Sequence, residues 1–333
     1  MTSDPTAQRA TAKPAKPAKP AKPDEPAATT GLTDEPPAVR RDLAEVPLVP
    51  PFGGGGLHDV FRRRYLLKLL VQKEIQARYN GSVLGLVWSY VMPLVRFAMY
   101  FFVLGIIIGL HKNVPNFAIH VFCGLVFVNF FTETFSAGTR SIVRNKAIVR
   151  KMAMPREMFP VASMIVSAVH AFPQAVILVV ASVWLGWTPD ATALGAGVLG
   201  FAILALFGTG LALLFSACNV YFRDFGQFVS VLTIFTHWAV PMIYPYTRVS
   251  DSAIGGTWWE ELYLANPLAE AVLLLQRAFW VPTCPGQDAC TGPGAMPDHL
   301  FTRGFVMLGV GVLFLFGCQW LFSRLESNFA ERL

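Results

Sequence analysis

Charge is what this chain has least of. Only 14% of its 333 residues are Asp, Glu, Lys or Arg, while 54% are hydrophobic and the mean hydropathy is +0.48. Those values lie outside the ordinary soluble range. No G-x-x-x-x-G-K-[ST] run occurs, so the usual phosphate-binding loop is absent and ATP hydrolysis by this chain in the usual way is not expected. No D-x-D pair occurs either, and the metal and base chemistry of a membrane-embedded glycosyltransferase needs paired acids. The apolar stretches lack the repeated acids of a proton relay. Residues 1–56 have no apolar core, so a cleavable signal peptide is not expected.

Apolar stretches near the length of about 20 residues that a bilayer requires recur at 83–110, 117–138, 159–186, 194–221, 228–245 and 305–321. The sequence therefore predicts an all-α integral membrane protein with six transmembrane helices. Pro241 and Pro245 interrupt the fifth, which a membrane helix tolerates where the freed backbone faces protein or water. Six spans put both termini on one side. That side would carry six Lys/Arg in 57–82, six in 138–157, Arg223, and two in the C-terminal tail, fifteen together. The other side would carry Lys112, Arg248, Arg277 and Arg303. The positive-inside rule makes the richer side cytoplasmic, and the net charge of +6 needs no nucleic acid to explain it.

Ahead of the spans, 1–56 includes a Lys-Pro-Ala repeat that cannot bury apolar surface, so a disordered tail is expected. It either stays solvated or touches anionic headgroups. In 57–82, Leu66, Leu67, Leu70 and Val71 share one helical face and Lys68, Gln72 and Gln76 another, the pattern of a helix lying in the headgroup plane. Glu74 interrupts the stripe, and Leu69 falls on the polar side. This helix is either an anchor or the border of an opening for an amphiphile.

The loop after the second span mixes Arg150 and Lys151 with Ile148, Val149 and Met152. Met154-Pro155 interrupts any helix there, and Pro160 opens the next span. Orientation alone would explain the charges. A short helix at 145–154 that docks another protein would explain the apolar residues too, which otherwise stand in water.

Inside the spans polar residues are few. Arg96 lies roughly 20 Å along the first span, His170 roughly 18 Å into the third, and Glu133 about 10 Å deep. Arg96 is either paired with Glu133 or lines a wet conduit; His170 and His237 are further conduit candidates. Trp184, Trp187, Trp258 and Trp259 suit an interfacial belt, and the rings of 127–135 and 220–225 either pack or line a glycan path. Asn266 and Pro267 mark the start of a helix of about 13 residues in the outer loop 246–303, too short to cross and placed to dip into the outer leaflet. Cys284 and Cys290 fall in the same loop, where oxidation is permitted, and a local disulfide is expected. A metal site is not, since only His299 adds a soft ligand.

Five strings, in order, carry a resemblance that covers 66–333. They are LLVQKEIQARYNGSVLGLVWSYVMPL, NKAIVRKMAMPREMFPVAS, YFRDFGQFVSVLTIFTHWAVPMIYP, NPLAEAVLLLQRAF and FSRLESNFAERL. Together they resemble the permease subunits of ATP-binding-cassette exporters of polysaccharides and polyol phosphates, among them the actinobacterial exporter of lipid-linked galactan, an O-antigen-type system. The sequence departs from that pattern at HWAVPMIYP, where the family more often has Ser-Pro, and in a longer outer loop.

The resemblance implies a type 2 exporter permease fold with a gate helix at 60–78 and a coupling helix at 145–154. The ATPase would be met by Asn145, Ile148, Val149, Arg150, Lys151, Met152, Arg156 and Glu157. Arg78, Tyr79, Leu84 and Gly85 would meet the diphosphate of a lipid carrier, since guanidinium and phenol groups suit phosphate oxygens. It further implies a homodimer with two ATPase subunits that hold ATP and Mg, with no cofactor in this chain. The rival readings are the same fold exporting teichoic acid, O-antigen, a drug or a lipid, and a glycosyltransferase or channel.

Overall fold

A computed structural model describes residues 56–79, 87–152, 154–284, 286–292 and 294–332. The expected tail up to residue 55 and the Leu84-Gly85 turn lie outside these residues. Among the described residues every regular element is helical. Two helices, α1 (Gly56–Arg62) and α2 (Arg64–Tyr79), precede α3 (Trp88–Tyr100), which runs on as a π-helical stretch over Phe101–Ile107. Then come α4 (Phe117–Arg144), the short α5 (Lys146–Lys151), α6 (Met158–Trp184), α7 (Ala191–Tyr221) and α8 (Phe225–Trp238). The remainder is α9 (Thr247–Ser250), α10 (Trp258–Leu264), α11 (Pro267–Phe279), α12 (Asp288–Thr291), α13 (Leu300–Leu325) and α14 (Phe329–Arg332).

By length and composition five of these helical stretches suffice to cross a membrane: Tyr90–Ile107, α4, α6, α7 and α13. The expected helix over 228–245 differs. Its helical part is α8, 14 residues or about 21 Å, and it stops at Trp238. From there to Pro245 the chain turns, and its freed carbonyls find partners on the next helix pair. Asn266 Nδ2 donates to the Ala239 carbonyl at 3.3 Å, and Gln276 Nε2 donates to that of Pro241 at 2.5 Å. A buried backbone break survives only with such partners. Asn266 also accepts from the Leu268 amide at 3.0 Å, capping α11. The helix α11 is thus mostly buried against α4, α7 and α13.

The bundle is built around α4. Its most apolar window is 83% buried, against 6% for Tyr90–Ile107 and 17% for α13, so α4 is the axis while α3 and α13 lie at the rim. The chain has placed its aromatic run there. Phe127, Phe130, Phe131 and Phe135 are core residues, packed on Phe201, Phe215 and Phe279. They line neither lipid nor a glycan path. Small residues let neighbours approach: a Cβ added at Gly138 would stand 2.4 Å from Ala212 Cβ, and one at Gly124 would stand 2.5 Å from Met242 Cβ.

The two ends of the bundle are closed differently. At the end away from the basic loop, Trp187 Nε1 donates to Ala278 O at 3.0 Å, Trp280 Nε1 to Pro115 O at 2.7 Å and Asn116 Nδ2 to Thr283 O at 2.9 Å. Asp190 caps α7 and also meets Arg277; the Thr192 hydroxyl, then the Ala193 amide, hold its carboxyl below the usual range. Cys284 and Cys290 are joined by a disulfide, both sulfurs buried. Trp184, Trp258 and Trp259 are exposed.

Two glycines separate packing from backbone effects. Gly138→Val forces α4 and α7 apart and should cost about 1–3 kcal/mol. Gly195, on α7, has nothing within 4 Å of an added Cβ, so Gly195→Ala should be neutral or raise stability by about 0.5–1 kcal/mol. Thermal unfolding of the detergent-solubilised protein checks both.

Candidate functional site

The last turn of α2 brings Arg78 against the middle of the bundle. Its Nη1 donates to Glu133 Oε1 on α4 and lies 2.7 Å from His170 Nδ1 on α6; that nitrogen is 2.8 Å from the same Oε1. The side chains are 39% (Arg78), 28% (Glu133) and 3% (His170) exposed. One carboxylate oxygen therefore holds α2, α4 and α6 together.

Beside this trio opens a cavity of about 610 Å³. Arg78, Glu133 and His170 form one wall. Trp88, Met92, Arg96 and Tyr100 line it from α3, and Thr233, Ile234, His237 and Trp238 from α8. Asn129, one helical turn from Glu133, accepts from Arg96 Nη1 at 3.0 Å and lies 3.3 Å from His237 Nε2. Arg96 thus does not reach Glu133, whose cationic partner is Arg78. Two guanidiniums, Arg78 and Arg96, face one carboxylate, so the wall has surplus positive charge. Such a wall suits anions, since guanidinium geometry fits carboxylate and phosphate oxygens.

Sequence reasoning placed Arg78 with the carrier and Arg96, Glu133, His170 and His237 in a conduit. The structure brings all five to one cavity. Tyr79 ends α2. Asn129 and Gln174, also on the wall, went unnoticed, although a lone amide in an apolar helix is itself a signal.

The basic loop is placed differently from the expectation. Lys146, Arg150, Lys151 and Met152 are exposed, but Ile148 and Val149 pack on the chain's own core with Ile142 and Phe159 nearby. They are half-buried, so the chain's own core covers part of their surface. Asn145 is buried at the α4–α5 junction, donating to Glu74 Oε1 at 2.9 Å and accepting from Lys73 Nζ. Arg144 Nη2 donates to Glu74 Oε2 at 2.6 Å. This accounts for Glu74: the residue that spoils the apolar stripe of α2 is the one that ties α2 to the loop. Glu157 is buried too, accepting from Gln319 Nε2 at 2.8 Å, and Arg156 donates to the Glu326 carbonyl and lies over the Phe329 ring. Those two residues anchor the C-terminal segment and do not face outward. Burial, with Glu157 adding repulsion, pushes the Glu326 carboxyl up to about 7.

A helical bundle with stretches of membrane length, and a cationic cavity where α2 is bonded into it, has the makings of a membrane transport subunit. The chain belongs to the ABC-2 type transporter family, which residues 65–280 match. It is similar to the O-antigen export system permease protein RfbA of Klebsiella pneumoniae, 25% identical over 272 residues that make up 80% of this chain and 95% of the relative. The protein of the same description from Myxococcus xanthus is 24% identical over 282 residues, 83% of this chain and 98% of that one.

The Glu74–Asn145 contact has a measurable consequence. Asn145→Ala leaves a partly buried carboxylate short of one donor and should lower stability by about 1–3 kcal/mol. Arg150→Ala, at an exposed position, should fall within about 0.5 kcal/mol of the parent. Thermal unfolding of the two variants side by side separates these outcomes.

Proposed function

We propose that this chain is the permease subunit of an ATP-driven exporter that carries a polyprenyl-diphosphate-linked cell-wall polysaccharide, galactan in particular, outward across the plasma membrane. The observation that carries the reading is Arg78: a guanidinium on the interfacial helix that opens into a cationic cavity flanked by spans. A lipid-linked glycan offers a diphosphate, whose oxygens a guanidinium bordering that cavity can bind. The relatives' description as O-antigen export permeases supports the polysaccharide.

The basic end of the bundle is then cytoplasmic, with both termini there. Two ATPase subunits would hold ATP and Mg and would dock on α5 through exposed Lys146, Arg150, Lys151 and Met152. Their motion would reach the cavity through Asn145, Glu74 and α2, a rigid-body transmission of the kind that drives alternating states. The cavity is bounded by α3 and α8, whose Met92, Phe235 and Trp238 stay exposed. A second copy of the chain against those helices would enclose a conduit that one protomer leaves open.

Arg78→Ala should raise the lipid-linked glycan concentration that half-maximally stimulates ATP hydrolysis by the assembled complex, with assembly intact. A lost charge-assisted contact is worth about 1.5–3 kcal/mol, or roughly 10- to 150-fold. An unchanged concentration dependence would remove Arg78 from the substrate site.

A further inference from the structure

The three contacts among Arg78, Glu133 and His170 cannot all be favourable. Arg78 is always a donor. If His170 Nδ1 carries a proton, it can donate to Glu133, but it then stands 2.7 Å from another donor. If Nδ1 is bare, it accepts from Arg78 and then faces the carboxylate oxygen at 2.8 Å as a second acceptor. Either way the triangle supports two hydrogen bonds and one repulsion. Taking Arg78 away leaves a single clean pair, His170 with Glu133.

We infer that Glu133 is an internal stand-in for the substrate's anionic headgroup. It holds Arg78 until substrate arrives and yields it to an incoming lipid diphosphate, while Glu133 keeps His170 as its partner. This rests on the reading of the cavity as a lipid-diphosphate site and names the residue that sets its selectivity. Arg96 is bonded only to the neutral Asn129 among the wall residues. It can turn to the ligand without breaking an ion pair, and freeing Arg78 adds a second cation. Two guanidiniums match the two negative charges of a diphosphate diester. A neutral amphiphile offers Arg78 nothing in exchange for Glu133, so the trio admits diphosphates and rejects uncharged lipids of the same chain. Arg78 also belongs to α2, whose Glu74 is tied to the α4–α5 junction. Its transfer from Glu133 to the ligand would therefore move a helix that is connected to the basic loop.

Equilibrium binding of farnesyl diphosphate to the purified complex, with farnesol as the neutral control, tests this in four forms of the protein: parent, Glu133→Gln, Arg78→Ala and the double variant. Glu133→Gln preserves shape and should bind the diphosphate roughly three- to tenfold more tightly, with farnesol unaffected. The gain should vanish in the Arg78→Ala background, because no held arginine remains to be released. An equal gain with and without Arg78 would mean that Glu133 acts by like-charge repulsion alone, and the exchange would be overturned. If Arg78→Ala weakens binding and Glu133→Gln fails to strengthen it, the exchange fails and the diphosphate site stands. If Arg78→Ala binds as the parent does, the site reading itself fails. Should Glu133→Gln not be recovered folded, Glu133→Asp retains the charge with shorter reach and should show a smaller gain in the same direction.

Discussion

A charge inside an apolar layer must find a counter-charge, a polar partner or water. In this protein that constraint falls on Glu133. It stands on the most buried span and draws Arg78 in from α2 and His170 in from α6. Without it the interfacial helix would have no polar reason to lie over the bundle at that point, and the cavity would lack the wall that gives it its charge. Glu74 repeats the arrangement lower on α2, with Arg144 and Asn145 as partners. Two carboxylates, one on α2 and one on α4, thus stitch the interfacial helix to the core at two heights.

The same constraint applied to backbone shapes the far end. Pro241 cannot continue a helix, so carbonyls between Ala239 and Pro241 lose their intrahelical partners. Asn266 and Gln276 supply replacements from the re-entrant segment, and α11 is buried in consequence. The break and the re-entrant helix are one feature rather than two, and the interrupted segment ends as a 14-residue helix beside the cavity.

Much of this was legible in the residues. Three of the long apolar stretches, at 117–138, 194–221 and 305–321, fall inside α4, α7 and α13, and that at 159–186 outruns α6 by two residues, because 20 apolar residues in a row have few other fates. The cap at Asn266 was legible from side-chain chemistry alone. Pairing was not. An Arg96–Glu133 pair was one of two readings, within the arginine's reach, yet reach says nothing about rotation around a helix axis, and Arg96 meets Asn129 instead. Ile148 and Val149 looked stranded because hydropathy cannot see that the chain folds its own core beneath them. Glu157 and Arg156 looked like surface charges, although the C-terminal segment covers them. Local pattern specifies elements; which faces meet is set by packing between distant segments.

On the function proposed above, substrate passes through the cavity between α3, α4, α6 and α8. A photo-crosslinking residue at Met92, exposed on that cavity, against one at Leu313, exposed on α13, tests it during active export in cells. Illumination should attach lipid-linked polysaccharide at position 92 and not at 313. Attachment at 313 with none at 92, while export proceeds, would contradict the account.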